Sequence, residues 1–153
     1  MRALLSMVGK NEKKRTRSGT ALPDALTADS LFKAKVVSLI LSKDTEEALQ
    51  MLSQHYEVAM PNLRVGMPKR HSKNPACYVA KKHTVHVSNR KVLRNPRVIL
   101  HEFYHHLRHT KDAHGGIEKY ADRFAENYLQ AYRTIAAYIS TQQTEGKNEK
   151  QNI

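Results

Sequence analysis

Apolar residues recur at helical spacing in the first third of the chain. Between residues 27 and 43, where Thr27 and Asp29 provide a typical helix start, they are Leu31, Phe32, Val36, Val37, Leu39 and Ile40. A second apolar run over 44–56 opens with Asp44 and Glu47, three residues apart, as in a capping box. The pattern predicts one broken helix or a helical hairpin over 27–56.

Three short stretches after Pro61 have the composition of strands. They cover 62–66, 76–80 and 83–88, and Val, Tyr and Thr are enriched in them. Only two lysines separate the second stretch from the third, which is typical of two strands that pair with each other. The sequence therefore predicts a small sheet of at most three strands.

The second half of the chain predicts two helices. Asn95 suits a helix N-cap and Pro96 a first turn, so one helix should run from about Pro96 to about His109. The next helix should be longer, because its apolar residues share one face: Ile117, Ala121, Phe124, Ala125, Tyr128, Leu129, Tyr132, Ile135, Ala136 and Ile139. Helices, a small sheet and two further helices define an α+β fold class.

The 153 residues provide enough chain for one domain with a modest core. Residues 1–22 are polar and basic and predict a disordered arm, 23–140 a single domain, and 141–153 a polar, disordered tail. No run of about 18 apolar residues predicts a membrane span. Because a single cysteine, Cys77, excludes an intramolecular disulfide, we expect a cytoplasmic protein.

The net charge of +12 is concentrated in one segment. Residues 64–97 contain ten Lys and Arg residues and no acid. Such a segment creates a positive field that attracts nucleic acid or acidic peptides. A solvated basic face is the simpler interpretation, because no recognised nucleic-acid-binding motif accompanies the charge.

The stretch VILHEFYHHL, residues 98–107, contains the strongest chemical signal. His101 and His105 are four residues apart, so on a helix they share a face and can point two imidazoles at one zinc ion. Glu102 lies about 100° round the helix from His101, where it can act as a general base beside the metal. The alternative is a surface helix that is rich in histidine, but the apolar neighbours indicate a largely buried one.

Zinc needs a third protein ligand, and two candidates lie within or just after the predicted break at 110–116. They are Glu118 and His114. His109 lies about 12 Å along the axis from His101, too far to complete the same site, and His106 should face solvent or a loop. If Glu118 binds the metal, Asp122 shares its helical face and could accept the second N–H of a ligand histidine.

HEFYH followed by EKYADRFA resembles the gluzincin metallopeptidases, especially the ImmA/IrrE-like group and the archaeal minigluzincins. The resemblance implies a minimal zincin fold, in which N-terminal helices and a three-stranded sheet precede an active-site helix and a glutamate helix. It also implies that His101, His105 and Glu118 bind Zn²⁺ and that Glu102 is the catalytic base. Asp122 would support a ligand histidine.

The resemblance implies a zinc-dependent endopeptidase. The enzyme could be active as it stands, or it could be latent, with the arm, the 27–56 helices or the tail covering its cleft. In this group of folds the edge of a sheet pairs with the substrate, and either 76–80 or 83–88 could be that edge. His114 and Tyr128 are candidates for the residue that stabilises the transition state. Two alternatives stay open: a SprT-like protease with His114 as third ligand, or a non-proteolytic zinc protein that binds nucleic acid or a regulator.

Overall fold

The structure is a computed structural model that describes residues 26–111 and 118–149. Its helices are α1 (Ala28–Leu41), α2 (Thr45–Tyr56), α3 (Pro96–Thr110) and α4 (Glu118–Glu149), and its strands are β1 (Asn62–Val65), β2 (Ala76–Val79) and β3 (Thr84–Val87). The α+β class and the order of the elements are therefore confirmed. The predicted arm 1–22 and the residue His114 lie outside the described residues.

The region 27–56 is a helical hairpin that breaks after Leu41. The Thr27 hydroxyl accepts a hydrogen bond from the Ser30 amide at 3.1 Å and so caps α1 as expected. The capping box predicted for α2 is wrong, since the Asp44 side chain makes no capping hydrogen bond. Its backbone, at φ −97° and ψ 45°, lacks the extended conformation that an N-cap side chain needs. The Thr45 hydroxyl instead donates to the Leu93 carbonyl and ties α2 to the segment before α3.

The sheet is mixed, with strand order β1-β3-β2. Strand β1 runs parallel to β3, and β2 runs antiparallel to it, which confirms the predicted strand pair. The turn between β2 and β3 is a single 3₁₀ turn over Ala80–Lys82, followed by His83 in the left-handed region at φ 46°. Because β3 is paired on both sides, β1 and β2 form the two edges of the sheet.

The core lies between the helices and one face of the sheet. Its side chains come from α1, α2, β3, α3 and α4, and the fully buried ones include Val37, Ile40, Leu49, Leu52, Val85, Val87, Ile99, Leu100, Phe103 and Ala125. A smaller cluster, Leu26, Leu31, Ala34 and Ile135, joins α1 to α4. The larger cluster holds α3 and α4 beside the sheet, and this arrangement sets the position of the candidate site.

Helix α4 continues to Glu149, so the prediction of a polar, disordered tail from residue 141 is wrong for 141–149. Gln, Glu and Lys favour helix, whereas the hydroxyls of Ser140, Thr141 and Thr144, which donate to the carbonyl four residues earlier at 3.0 Å, add no helix stability. Apolar periodicity could not reveal this extension, because residues 141–147 are exposed and bury no face. Among the described helices, none is both long and apolar enough to cross a membrane.

Candidate metal centre

Helix α3 places its two site histidines by burying the face beside them. The Asn95 side chain accepts a hydrogen bond from the Val98 amide, which starts the helix where the sequence predicted. Ile99 and Phe103 are fully buried, so His101 and His105 lie at the edge of the buried face with side chains 17% and 20% exposed. Their Nε2 atoms are 3.2 Å apart, as the four-residue spacing predicts.

The first turn of α4 brings two carboxylates to these histidines. Glu118 Oε2 lies 2.7 Å from His101 Nε2, and Glu118 Oε1 lies 3.1 Å from His105 Nε2. Asp122, one turn further along α4, places Oδ1 2.9 Å from His101 Nδ1. The structure therefore brings together His101, His105, Glu118 and Asp122, all predicted as site residues.

The three inner donors fit a small divalent cation. Ligands at 2.0–2.1 Å around a tetrahedral zinc ion lie roughly 3.3 Å from one another. The two Nε2 atoms are 3.2 Å apart, and one donor atom from each of the three residues lies within 4.8 Å of the other two. If His101 donates its Nδ1–H to Asp122, its Nε2 carries a lone pair that faces the Glu118 carboxylate and the second imidazole. The lone pair and the negative carboxylate repel each other, and a cation between them would remove this repulsion. A donor set of imidazole nitrogens and a carboxylate suits zinc.

Glu102 lies beside the three donors but is not one of them. Its side chain is buried, and this burial is the main cause that raises the pKa of Glu102 to about 7. His101 and a hydrogen bond from the Tyr78 backbone amide lower that pKa, while the negative charge of Glu118 raises it. Burial also lowers the pKa of His105, which favours the neutral imidazole that binds metals.

A cleft of about 980 Å³ opens over the centre. Its described lining consists of His71, Asn74, Pro75, Ala76, Cys77, Tyr78, Ala80, Arg97, Val98, His101, Glu102, His105, Arg108, His109, Glu118 and Asp122. Strand β2 therefore forms one wall and α3 another. Of the two stretches that could be a free edge beside the site, only 76–80 contains an edge strand, because β3 is central. Helices α1 and α2 contribute none of these lining residues.

Tyr128 does not belong to the site, so its prediction as a transition-state stabiliser is wrong. Its side chain is 1% exposed within the core, and its hydroxyl lies 2.7 Å from the Tyr56 hydroxyl. Burial raises the pKa of Tyr128 far above its usual range. The apolar spacing of α4 had already placed this residue on the buried face of the helix.

His106 was predicted to face solvent or a loop, and the structure corrects this. It is fully buried, donates from Nε2 to the Ala59 carbonyl at 2.7 Å, and lies with Nδ1 2.9 Å from the Tyr78 hydroxyl. The signal was present in the sequence, because His106 follows the core residues Ile99 and Phe103 by seven and three positions. Its contacts tie α3 to β2, which forms the opposite wall of the cleft.

Comparisons of the chain with models of protein families, with curated proteins and with solved structures gave no match. The donor set, the buried carboxyl and the cleft are therefore the basis on which a function can be assigned.

Proposed function

We propose that this protein is a zinc-dependent endopeptidase. The observation that carries the proposal is the convergence of His101, His105 and Glu118 from two helices beside the buried Glu102 in an open cleft. We further propose that the fold is a minimal zincin fold, in line with the resemblance of HEFYH and EKYADRFA to the gluzincins. Helix α3 would be the active-site helix and α4 the glutamate helix.

Zinc held by His101, His105 and Glu118 would supply a Lewis acid and a water of lowered pKa. Glu102 accepts a proton from the attacking water as the water oxygen bonds to the carbonyl carbon of the peptide. Glu102 then delivers this proton to the leaving nitrogen as the C–N bond breaks. Asp122 holds His101 in the tautomer that leaves Nε2 free to bind metal.

The free edge of β2 supports a peptide as the substrate. Among the described strands, β2 pairs with β3 alone, and its residues Ala76, Cys77 and Tyr78 line the cleft. An extended peptide can add to such an edge through backbone hydrogen bonds, which require no particular side-chain sequence. A cleft beside a strand with one free edge therefore favours a polypeptide substrate over a small ester or a nucleoside.

The first experiment measures zinc stoichiometry by native mass spectrometry after reconstitution. We expect one zinc ion in the wild type and in a Glu126→Ala control, because Glu126 is also a carboxylate of α4 but binds Arg97 and Arg133. Glu118→Ala should lose zinc or weaken its binding by more than the roughly 10- to 100-fold typical of a supporting residue. No zinc in the wild type would refute the centre, and zinc unaffected by Glu118→Ala would favour His114.

The second experiment separates metal binding from catalysis. Glu102→Gln keeps the size of the side chain but cannot accept the proton of the water. Because Glu102 is not one of the three metal ligands, we expect zinc to remain bound. Peptide cleavage, followed by mass spectrometry of the fragments, should fall by about 10²- to 10⁴-fold. Cleavage at the wild-type rate by this variant would contradict the role of Glu102.

Nucleic-acid binding is a second candidate function, favoured by the surface of residues 64–97. All ten Lys and Arg side chains of this segment are exposed, and within the described chain only Arg97 forms an ion pair. A shallow groove of about 410 Å³ on strands β1 and β3 is lined by Asn62, Arg64, Lys82, Thr84 and His86. Exposed, unpaired cations around a groove suit a phosphate backbone.

A further inference from the structure

Among the described lining residues outside the metal centre, the charged and imidazole groups of the cleft are all basic. Among the described lining residues, the carboxylates are Glu102, Glu118 and Asp122, and each of them belongs to the centre. The other such side chains are His71, Arg97, Arg108 and His109. A substrate that enters this cleft therefore meets positive charge on either side of the centre.

Two arginines of α3 flank the centre in the wall of the cleft that this helix forms. Arg97 precedes His101 by four residues, and Arg108 follows His105 by three. These spacings put each guanidinium about one helical turn from the nearest ligand histidine, on the same side of the helix. The two arginines therefore lie before and after the two site histidines along α3.

The two arginines differ in their partners. Arg97 binds the carboxylate of Glu126, which also accepts a hydrogen bond from Arg133 at 2.7 Å. Arg108 forms no ion pair with any described residue, and its buried Nε atom has no hydrogen-bond partner. An unpaired buried donor of a charged group is costly, so a partner for Arg108 would stabilise this part of the cleft.

We propose that Arg108 binds a carboxylate of the substrate and makes the enzyme prefer acidic peptides. This inference rests on the proposed peptidase function. A guanidinium one turn beyond His105 can hold a carboxylate through charge-assisted hydrogen bonds, whereas the Arg97 guanidinium already binds Glu126. The acid-free segment 64–97 supplies a positive field that would attract such peptides to the cleft.

The test uses the zinc-loaded full chain and pairs of peptides that differ only by Glu or Gln at each position near the cleaved bond. At one of these positions we expect the wild type to favour Glu by about tenfold in kcat/KM, the effect of one charge-assisted hydrogen bond. Arg108→Gln should bring that ratio close to one, and Arg108→Glu should favour Lys there. Arg97→Gln is the matched control and should keep the wild-type ratio.

Amidated peptides distinguish the two sources of a carboxylate. A preference for Glu over Gln that survives amidation of the C-terminus assigns Arg108 to an acidic side chain, whereas a preference for the free over the amidated form of one peptide assigns it to the terminal carboxylate. Both results support a carboxylate subsite at Arg108. If the wild type shows kcat/KM ratios near one for every Glu/Gln pair and for every pair of free and amidated peptides, the subsite is overturned. Cleavage of these peptides would still support the peptidase.

A binding measurement keeps the subsite testable if no peptide is cleaved. Fluorescence anisotropy on zinc-loaded Glu102→Gln protein compares one acidic peptide with its Gln counterpart. Discrimination that is lost when Arg108→Gln is added supports the subsite, even where absent cleavage by the wild type refutes the peptidase. Equal binding of the two peptides, or discrimination that Arg108→Gln leaves intact, would overturn the proposal for Arg108.

Discussion

Neighbouring histidines on α3 have different roles at the scale of single residues. His105 faces Glu118 and offers Nε2 to the centre, whereas His106, about 100° further round the helix, enters the core. Both ring nitrogens of His106 have partners, so its burial leaves no polar atom unpaired. One histidine therefore faces the candidate metal site, and the next joins the helix to a wall of its cleft.

Replacing His106 should destabilise the fold. His106→Ala removes two hydrogen bonds, leaves the Tyr78 hydroxyl and the Ala59 carbonyl without this partner, and opens a cavity. We expect the free energy of unfolding to fall by about 2–4 kcal/mol, measured by urea denaturation. His109→Ala is the control, because His109 is exposed and its loss should change stability by less than about 0.5 kcal/mol. Similar losses in both variants would contradict a special structural role for His106.

The inner residues of the site could be predicted because their geometry is local. His101, Glu102 and His105 lie within five consecutive residues, and the period of the helix fixes their relative directions. Glu118 could only be ranked above His114 by a resemblance, since its approach depends on how α4 packs against α3. The lack of a hydrogen-bond partner at Arg108 Nε among the described residues was not predictable, because it depends on how the elements around α3 pack.

At the scale of elements, boundaries followed the sequence wherever an apolar face marked them. Helix α3 begins after its Asn95 cap, as expected, but α4 extends beyond its last buried face, where only backbone propensity maintains it. The strand order depends on pairing between distant segments, so the free edge of β2 could not be chosen over β3 beforehand. The backbone of β2 also supports the site, because the Tyr78 amide hydrogen-bonds Glu102.

The end of α2 contains a strained residue whose replacement should stabilise the helix. Glu57 caps α2 in the left-handed region at φ 56° and ψ 47°, where a side chain costs about 1–2 kcal/mol. Glu57→Gly removes this cost but adds freedom to the unfolded chain, so we expect a net gain of about 0.5–1 kcal/mol in thermal or urea unfolding.

Gln54→Gly provides the matched control for this cap. Gln54 is exposed on the same helix, but it lies inside α2, where glycine has no conformational advantage. This variant should lose about 0.5–1 kcal/mol. A loss of stability in both variants would show that the left-handed conformation of Glu57 carries no strain.

At the scale of the whole molecule, a second basic groove lies apart from the candidate metal centre. The groove lined by Arg64, Lys82 and His86 lies on strands β1 and β3, whereas the cleft lies against β2 at the other edge of the sheet. In the register of β1 and β3, Arg64 is opposite His86, so both residues lie on the same face. A polyanion on this groove would leave the cleft open to peptides.

Salt dependence tests whether this groove binds nucleic acid. The affinity for a DNA duplex should fall linearly on a logarithmic salt scale, with a slope of about 0.9 for each phosphate contacted. Replacing Arg64 and Lys82 by Gln should reduce that slope by about one to two, because each cation contacts about one phosphate. A Lys119→Gln/Lys147→Gln control removes the same net charge from α4, outside the groove, and should keep the wild-type slope. Equal reductions in both variants would attribute binding to net charge alone, and no binding at low salt would leave the cleft as the functional surface of the protein.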